Sequence, residues 1–359
     1  MHKKLFIPGP VDVRQDILDA FATPMIGHRA KDVMTLQERI SDNLRKVFHT
    51  ENAIILSTSS GTGLMEGAIR SFTAKRAVVF SVGAFGNRWA ELGETNGVPV
   101  DKVEVEWGNP TLPDVVDDYL STGKYDVFTI THNETSTGIM NPVEAIADMR
   151  KKYPDVFWLV DAVSSMGGVK IDVDKLGIDV CITSTQKCLG LPPGMACASV
   201  TERAIDYAKK VKNRGFYFDF VTLYKFVKDK PYQYPTTPSL PHMFGLDKQL
   251  DYILNVEGLE NRYARHAAMA KTAQKWAVDN GFELLAGEGY RSNTVTTIKN
   301  TRGIVVGDLG KRVGEKGYLL SNGYGSLKEK TFRIAHMADR TPEELQAYLD
   351  VLSAELKTL

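Results

Sequence analysis

Two ionisable residues follow short apolar segments in a way that could place them in one cleft. Lys187 lies in TSTQKCLGLPPG, between a β-branched segment and a turn rich in glycine and proline. Taken alone, a lysine in such a place is usually a solvated side chain. Asp161, in VDAVSSMGG, ends another apolar segment that runs from Phe157 to Val160. Parallel strands bring their carboxyl ends to one edge of a sheet, so the amine and the carboxylate should face each other there.

This pair fits the needs of pyridoxal phosphate. The cofactor forms a Schiff base with a lysine, and a carboxylate keeps its pyridine nitrogen protonated, which makes the ring an electron sink. Opposite charges close together favour the ionised form of each group. Without the lysine, Asp161 would be interpreted as a helix cap or a turn residue, which are frequent roles of aspartate. The pair therefore predicts a pyridoxal-phosphate site in which Lys187 holds the cofactor.

A loop of small residues offers a place for the cofactor's phosphate. In STSSGTGLMEGAI, Ser60, Gly61 and Thr62 stand between a strand-like segment and a helical pattern. Backbone amides at a helix N-terminus favour a phosphate dianion, and small side chains let them come close. The loop lacks the lysine of a P-loop. Because other proteins use similar turns, a nucleotide- or dinucleotide-binding protein is the alternative from a different class.

Hydrophobic periodicity indicates the elements that would position these residues. From about 36 to 200, helical patterns alternate with short β-branched segments, which is typical of βα units around a largely parallel sheet. A first amphipathic helix is marked by Leu36, Ile40, Leu44 and Phe48. Strands are expected at 53–56, 77–82, 127–131, 157–160 and 180–183.

The remainder of the chain has a different composition. Residues 215–241 are aromatic and rich in proline, so we expect an irregular excursion toward the site or another subunit and no core element there. Two long helical patterns follow from 246 to about 281, then the strand-like TVTTI and a final helix after Thr341 and Pro342. This pattern predicts a smaller C-terminal α+β domain.

Composition narrows the class of partner. A chain of 359 residues exceeds what one core usually supports, so two domains, or one large domain with an appendage, are expected. Lys plus Arg and Asp plus Glu number 44 each, which favours a small-molecule partner over nucleic acid. The three cysteines, at 181, 188 and 197, have neither a disulfide framework nor metal-ligand spacing, so we expect a reducing, cytoplasmic location and no metal. No apolar stretch is long enough to predict a membrane span or a signal peptide.

An ordered series of motifs resembles the class V aminotransferases of the fold type I pyridoxal-phosphate enzymes. The series runs IPGPVDV, GHR, SSGTG, GAFGNRW, HNETSTG, DAVSSMGG, STQKCLGLPPG, TTPS, EGLENR and FRIAHM. The group contains alanine-glyoxylate and serine-pyruvate aminotransferases, and broad-specificity archaeal members look especially similar. The resemblance implies an N-terminal segment (1–15) bordering the site, a large domain (16–258) with a mostly parallel seven-stranded sheet flanked by helices, and a small α+β domain (259–359).

The resemblance also implies roles for residues around the cofactor. Lys187 would hold it and move the proton between the substrate α-carbon and the cofactor, while Asp161 would pair with the pyridine nitrogen. Gln186 would join the small-residue loop in binding the phosphate. Phe85 would stack on one face of the ring, and Val163 would pack against the other.

Further residues are implied around the substrate and the second subunit. Thr135 would lie near the phenolic oxygen of the cofactor. Arg333 would bind the substrate α-carboxylate in a bidentate ion pair. The alternative for Arg333 is an ordinary salt bridge. Tyr234 and Thr237 would reach the phosphate of the neighbouring subunit, so each site would be shared across a homodimer. Gly9 would border the substrate.

The implied reaction transfers an amino group from a small amino acid, with alanine or serine favoured, to glyoxylate or pyruvate in a ping-pong mechanism. The alternatives are a phosphoserine or aspartate aminotransferase that uses 2-oxoglutarate, and a lyase on the same fold. His28 and Arg29 could serve an anionic side chain, although the series assigns them no role. Cysteine desulfurases need a nucleophilic cysteine well downstream of the lysine, and no cysteine follows Cys197.

Overall fold

The computed structural model describes residues 2–358 and shows an α/β protein. Its strands, in chain order, are β1 (Lys4–Leu5), β2 (Ala53–Ser57), β3 (Ala77–Ser81), β4 (Val100–Glu104), β5 (Val127–Thr131), β6 (Asn133–Glu134), β7 (Ile139–Met140), β8 (Phe157–Asp161), β9 (Val180–Ser184), β10 (Ala196–Val200), β11 (Glu283–Leu284), β12 (Val295–Lys299), β13 (Tyr318–Leu319), β14 (Ser321–Asn322) and β15 (Thr331–Ala335).

The α-helices are α1 (Gln15–Phe21), α2 (Lys31–Phe48), α3 (Gly61–Phe72), α4 (Ala84–Thr95), α5 (Pro113–Leu120), α6 (Val143–Lys152), α7 (Val173–Leu176), α8 (Glu202–Ala208), α9 (Phe220–Lys228), α10 (Leu240–Asp251), α11 (Leu259–Asp279), α12 (Val306–Glu315) and α13 (Pro342–Leu356). A π-helical segment, Tyr252–Glu257, joins α10 to α11, and a 3-10 turn occupies Gly325–Leu327. Among the residues described, no helix combines the length and the apolar character that crossing a bilayer requires.

The central sheet has seven strands in the order β2-β10-β9-β8-β5-β3-β4. Strand β10 is antiparallel to both of its neighbours, and the other pairings are parallel. The mostly parallel seven-stranded sheet is thus confirmed, and the five strands expected from the sequence are present to within one residue at their ends. Strands β4 and β10 were not predicted.

Helices cover both faces of this sheet, because alternate residues of a strand pack into two separate apolar clusters. In β8, Trp158 and Val160 belong to one cluster, while Phe157 and Leu159 belong to the other. Helices α2, α5, α6 and α10 complete the first cluster, and α3, α4, α8 and α9 complete the second. A strand that is buried on both faces must be apolar at every position, which explains the unbroken run FWLV.

The carboxyl ends of the parallel strands collect polar residues at one edge. Ser60 follows β2, Asp161 ends β8 and Lys187 follows β9, while the segment after β5 leads to Thr135. In an open α/β sheet this edge is where ligands bind. The order of strands in the sheet therefore brings together residues that are far apart in the sequence.

A second, antiparallel sheet with the order β11-β12-β15-β14 forms the smaller C-terminal part. Helices α11, α12 and α13 pack on it around a third apolar cluster, which also includes Phe6 from the N-terminal segment. The predicted final helix is present and begins with a capping box between Thr341 and Glu344. Gly258, with a φ of 81°, ends the π-helical segment where the division between the domains was expected. The division at 258/259 itself stays a prediction.

One expectation was wrong: residues 215–241 are not irregular throughout. Helix α9 lies inside this stretch, capped by the Asp219 carboxylate, which accepts a hydrogen bond from the Val221 amide. Phe220 and Leu223 are buried in the second apolar cluster of the large sheet. The surrounding aromatic residues and prolines obscured a short helical repeat, FVTLYKFV, that packs one face against the core.

Candidate active site

Lys187 lies just beyond β9 with its side chain turned toward the N-terminal segment. Its ammonium nitrogen donates to the carbonyl of Pro8. Gly9 has a φ of 105°, which favours glycine, and an added Cβ would lie 2.7 Å from the Lys187 Nζ, so a larger residue would displace the amine. Burial, reinforced by the charge of Arg333, lowers the pKa of Lys187 to about 8. A pKa lowered toward neutrality raises the fraction of neutral amine, the form that acts as nucleophile and base.

Asp161 ends β8 and is buried with its carboxyl group facing the same space. Its Oδ1 accepts a hydrogen bond of 2.8 Å from the Val163 amide. Burial raises the pKa of Asp161 to about 7, against the lowering effect of the Val163 amide, and the nearby Glu134 carboxylate adds to the rise. A carboxyl group with this pKa can share a proton with a pyridine nitrogen.

The small-residue loop forms the start of α3. Ser60 is the N-cap residue with an extended backbone, and no side chain caps the helix there. The first amides of α3 therefore keep the unpaired N–H groups and the dipole that attract an anion. Nearby, the buried Oγ of Ser184 and Oε1 of Gln186 have no hydrogen-bond partner among residues 2–358. Buried polar atoms are nearly always paired, so these two atoms indicate a polar ligand.

A cavity of about 120 Å³ joins these groups. Its walls combine polar and apolar side chains from the sheet edge, namely Ser60, Gly61, Thr62, Met65, Phe85, Thr135, Asp161, Val163, Ser164, Ser184, Gln186 and Lys187. Phe85 is held at the start of α4 because its amide and that of Gly86 both donate to the buried Glu134 carboxylate at 3.0 Å. The Thr135 hydroxyl is 2.6 Å from that of Ser164.

Arg333 lies in β15, at the side of the cavity. Its guanidinium donates to the carbonyls of Thr135 and Asn322 and to the Ser321 hydroxyl, at 2.9–3.3 Å. No carboxylate of residues 2–358 lies within salt-bridge distance, so the ordinary salt bridge that was the alternative is not formed. Burial lowers the pKa of Arg333 to about 10, and the side chain still carries its charge at neutral pH. A buried cation without an ion pair is prepared to bind an anion.

Besides Gly9 and Arg333, which adjoin Lys187 and Thr135, four candidate residues of the motif series lie outside the cavity walls. Tyr234 is buried in its own subunit, where its hydroxyl accepts from the Thr58 amide at 3.1 Å, and Thr237 is exposed. Their expected contact with a neighbouring subunit stays a prediction. Arg29 donates to backbone carbonyls of the 234–236 segment, so its role is to hold that segment. His28 is half-buried and does not line the cavity.

The sequence reasoning missed several contributors. Met65, Ser164 and Ser184 line the cavity, and Glu134 orients Phe85. Ser184 could have been found, because it is the last residue of a strand whose continuation carries Lys187. No local sequence signal marks Glu134, because its carboxylate accepts hydrogen bonds from backbone amides of α4, about 50 residues earlier in the chain.

The residues present fit pyridoxal phosphate. A helix N-terminus, the unpaired Ser184 hydroxyl and the donor nitrogen of the Gln186 amide suit a phosphate, whereas a buried carboxyl group and a buried amine suit the ring nitrogen and the aldehyde carbon. These features, on a mostly parallel sheet flanked by helices, define a fold type I pyridoxal-phosphate enzyme.

Comparisons with known proteins narrow this class to a family. The family model for aminotransferase class-V matches residues 16–347. An uncharacterized aminotransferase of Methanocaldococcus jannaschii is 39% identical over 100% of this chain and 94% of its own length. A serine-glyoxylate aminotransferase of Arabidopsis thaliana is 31% identical over 93% of this chain and 85% of its own length. The crystal structure of an alanine-glyoxylate aminotransferase from Nostoc sp. superposes with a TM-score of 0.93 at 27% identity, covering 99% of this chain and 96% of that one.

The chain therefore belongs to the class V aminotransferase family, whose members use pyridoxal phosphate and act on amino acids and 2-oxo acids. Both the family and the cofactor predicted from the sequence are confirmed.

Proposed function

We propose that this enzyme transfers the amino group of a small amino acid, alanine or serine, to glyoxylate or pyruvate in a ping-pong reaction. The observation that carries the proposal is the arrangement of Lys187 and Asp161 in the walls of one small cavity, with an unpaired Arg333 beside it. Relatives named as serine-glyoxylate and alanine-glyoxylate aminotransferases support the choice of substrates.

The cofactor, when bound, supplies an electron sink that makes the substrate Cα–H acidic. Lys187 would hold the cofactor, and its Nζ, when free, would take the proton from the substrate α-carbon. Its lowered pKa makes this step accessible near neutral pH. The carboxyl group of Asp161 would hold a proton at the ring nitrogen, because it is buried where water does not weaken the interaction.

Arg333 and the aromatic wall orient the substrate. The guanidinium fork binds the α-carboxylate and so fixes the direction of the Cα–H bond, which decides which bond is broken. Phe85 and Val163, which both line the cavity, would offer apolar surfaces to the cofactor ring and help to exclude water. The hydroxyl of Thr135 is within reach of the same space, where its contact with Ser164 keeps it in place.

The few cations at the cavity favour a donor with a single anionic group. The cavity walls contain one cation, Lys187, and Arg333 adjoins them for the α-carboxylate, whereas Arg29 is held by backbone carbonyls. A second anionic group on the donor, the side-chain carboxylate of aspartate or the phosphate of phosphoserine, would therefore lack a cationic partner among these residues. This argues against aspartate and phosphoserine as donors, which remain the alternatives with 2-oxoglutarate as acceptor.

The cysteines argue against desulfurase chemistry. All three are buried, and burial raises the pKa of Cys188 to about 11, so its thiol stays protonated at neutral pH. A nucleophilic cysteine needs to be an accessible thiolate. We also propose a cytoplasmic location, since none of the three cysteines is in a disulfide, and a homodimer in which Tyr234 and Thr237 reach the phosphate of the neighbouring site.

Separate half-reactions test this proposal. The purified holoenzyme is incubated in parallel with alanine, serine, aspartate or phosphoserine alone, and the 2-oxo acid released is measured. One equivalent per site from alanine or serine, followed by return of the amino group to glyoxylate or pyruvate, is expected for a ping-pong aminotransferase. Release only from aspartate or phosphoserine would favour the alternative donors. Continuous turnover of one amino acid without an acceptor would indicate a lyase.

A further inference from the structure

Arg262, in the first turn of α11, is a fully buried cation. Its Nε donates to the carbonyl of Gly167 at 3.0 Å, and its Nη2 donates to the carbonyl of Cys188 at 2.7 Å. The remaining nitrogen, Nη1, forms ion pairs with Asp339 and Glu257. One rigid guanidinium therefore connects two backbone carbonyls and two carboxylates.

The two carbonyls belong to the loops that carry the reactive pair. Cys188 directly follows Lys187, and Gly167 lies at the end of the loop that starts at Asp161. The loops are also tied to each other, because the Cys188 thiol donates to the carbonyl of Ser164 at 3.4 Å. A movement of Arg262 would therefore change the position of the lysine and the aspartate relative to each other.

The packing leaves these loops little freedom. A Cβ on Gly168 would lie 2.8 Å from the Cys188 Sγ and 3.2 Å from the Cδ2 of His266, one turn further along α11. Thr294, before β12, donates its hydroxyl to the Ser164 carbonyl at 2.7 Å. The loops of the large sheet are thus held against the C-terminal part of the chain, where Arg262 donates two hydrogen bonds to them and Thr294 donates one.

The charge of Arg262 is maintained although the side chain is buried. Burial opposes the charge, but Asp339 and Glu257 more than offset this and hold the pKa of Arg262 above its ordinary value. Glu257 is the last residue of the π-helical segment, and Gly258, with its positive φ, connects this segment to α11. The Glu257 carboxylate can therefore pair with Arg262 in the first turn of α11. π-helical segments are frequent at functional sites.

We propose that Arg262 is a positioning residue that sets the placement of Lys187 relative to Asp161 through the carbonyls of Cys188 and Gly167. This inference rests on the proposed function, because it assumes that Lys187 and Asp161 are the pair that holds the cofactor. Arg262 itself contacts neither the cavity nor a reacting group. Its effect on catalysis would come from the alignment of Lys187, for which an error of 1 Å can lower a rate on the order of 100-fold.

Arg265 offers a matched control on the same helix. It pairs with the same Glu257 carboxylate, and it also donates to backbone carbonyls, those of Ala338 and Arg340. None of its acceptors is in the loops of Lys187 or Asp161. Arg262→Met and Arg265→Met thus both remove a guanidinium from Glu257, but only the first releases the two loops.

The experiment compares Arg262→Met, Arg262→Lys and Arg265→Met as holoenzymes with the wild type. For Arg262→Met we expect kcat to fall on the order of 100-fold with a KM for the amino acid within about threefold, because Arg333 is untouched. The pH midpoint of the cofactor's visible absorption change should move by at least about half a unit. This midpoint depends on the distance between the positive charge on the Lys187 nitrogen and the Asp161 carboxylate. Arg265→Met should keep both kcat and the midpoint.

Arg262→Lys keeps a charge beside Asp339 and protects the fold, but one ammonium group cannot bind both carbonyls, so kcat should still fall at least about tenfold. Equal losses in Arg262→Met and Arg265→Met, or a wild-type kcat and midpoint in Arg262→Lys, would overturn the proposal.

Cofactor-free protein separates this inference from the proposed function. The pH dependence with which Lys187 reacts with an amine-specific reagent, measured by peptide mass spectrometry, should change in Arg262→Lys and stay unchanged in Arg265→Met. That result would support the positioning role even if the wild type failed to transaminate. A normal aminotransferase whose Lys187 reactivity is the same in all variants would overturn the positioning role alone.

Discussion

Gly61→Ala perturbs the phosphate loop without removing a functional group. A Cβ at this position would lie 2.6 Å from Val163 Cγ2 and 3.6 Å from the Ser184 Oγ. Carbon atoms in contact are normally about 3.5–4.0 Å apart, so Val163 or the start of α3 must move by about 1 Å. Both line the cavity, and the easiest movement is into the space that the cofactor needs.

The expected effect falls on cofactor binding and leaves the fold intact. Overpacking of this kind costs about 1–3 kcal/mol, which corresponds to a loss of cofactor affinity of about 5- to 150-fold. The cofactor-free chain can relax by turning Val163 toward the cavity, and alanine is a better helix former than glycine by up to about 1 kcal/mol. Its melting temperature should therefore stay the same or rise slightly.

The assay is the dissociation constant of pyridoxal phosphate, measured by absorbance titration, together with the melting temperature of the cofactor-free chain. Gly310→Ala is a matched control, because this glycine lies in α12 with no atom within 4 Å of an added Cβ. Adding Val163→Ala to Gly61→Ala should restore part of the affinity. An unchanged dissociation constant in Gly61→Ala, or the same loss in Gly310→Ala, would refute this reasoning.

Three further variants test the reactive groups. Lys187→Ala should abolish transamination while leaving the circular dichroism spectrum unchanged, and any residual turnover near the wild-type rate would contradict its assigned role. Arg333→Met should lower kcat/KM for the amino acid by roughly 100- to 10,000-fold, as expected for the loss of two charge-assisted hydrogen bonds, while the cofactor dissociation constant changes little; the reverse pattern would be evidence against carboxylate binding. Burial raises the pKa of Asp161 from an ordinary 3.8 to about 7, so the folded, cofactor-free chain keeps a proton that the unfolded chain loses between these values. The free energy of unfolding of the cofactor-free chain should therefore fall as the pH rises from about 4 to 7, by at most about 1.4 kcal/mol per pH unit. In Asp161→Asn, denaturant titrations should show that this pH dependence is lost.

Much of the site could be predicted because it lies at the ends of regular elements. Asp161 and Lys187 lie at or just after the ends of apolar strands, and each strand can be predicted from its own local sequence. Because parallel strands have their carboxyl ends at the same edge of the sheet, the two residues are then expected to lie together. The order of motifs identified the family and the cofactor, which are confirmed. The expected contact of Thr237 with a second subunit depends on an interface that one chain does not contain.

The parts that were missed have physical reasons. Strand β4, VDKVE, is an edge strand whose residues are partly buried or exposed, so it lacks the apolar run of the central strands. Strand β10, ACASV, is built of small residues that carry little β preference. Arg262 contacts backbone carbonyls far away in the sequence, and a carbonyl is present at every residue, so no pattern of side chains could reveal its acceptors.

The most direct test of the central claim is to locate the lysine that carries the cofactor. The yellow holoenzyme is treated with sodium borohydride, which converts an imine to a stable amine, and is then digested for peptide mass spectrometry. The cofactor mass should be found on Lys187 and on no other lysine, and Lys187→Ala should yield no modified peptide. A modification on a different lysine, or none in a protein that binds the cofactor and transaminates, would contradict the account.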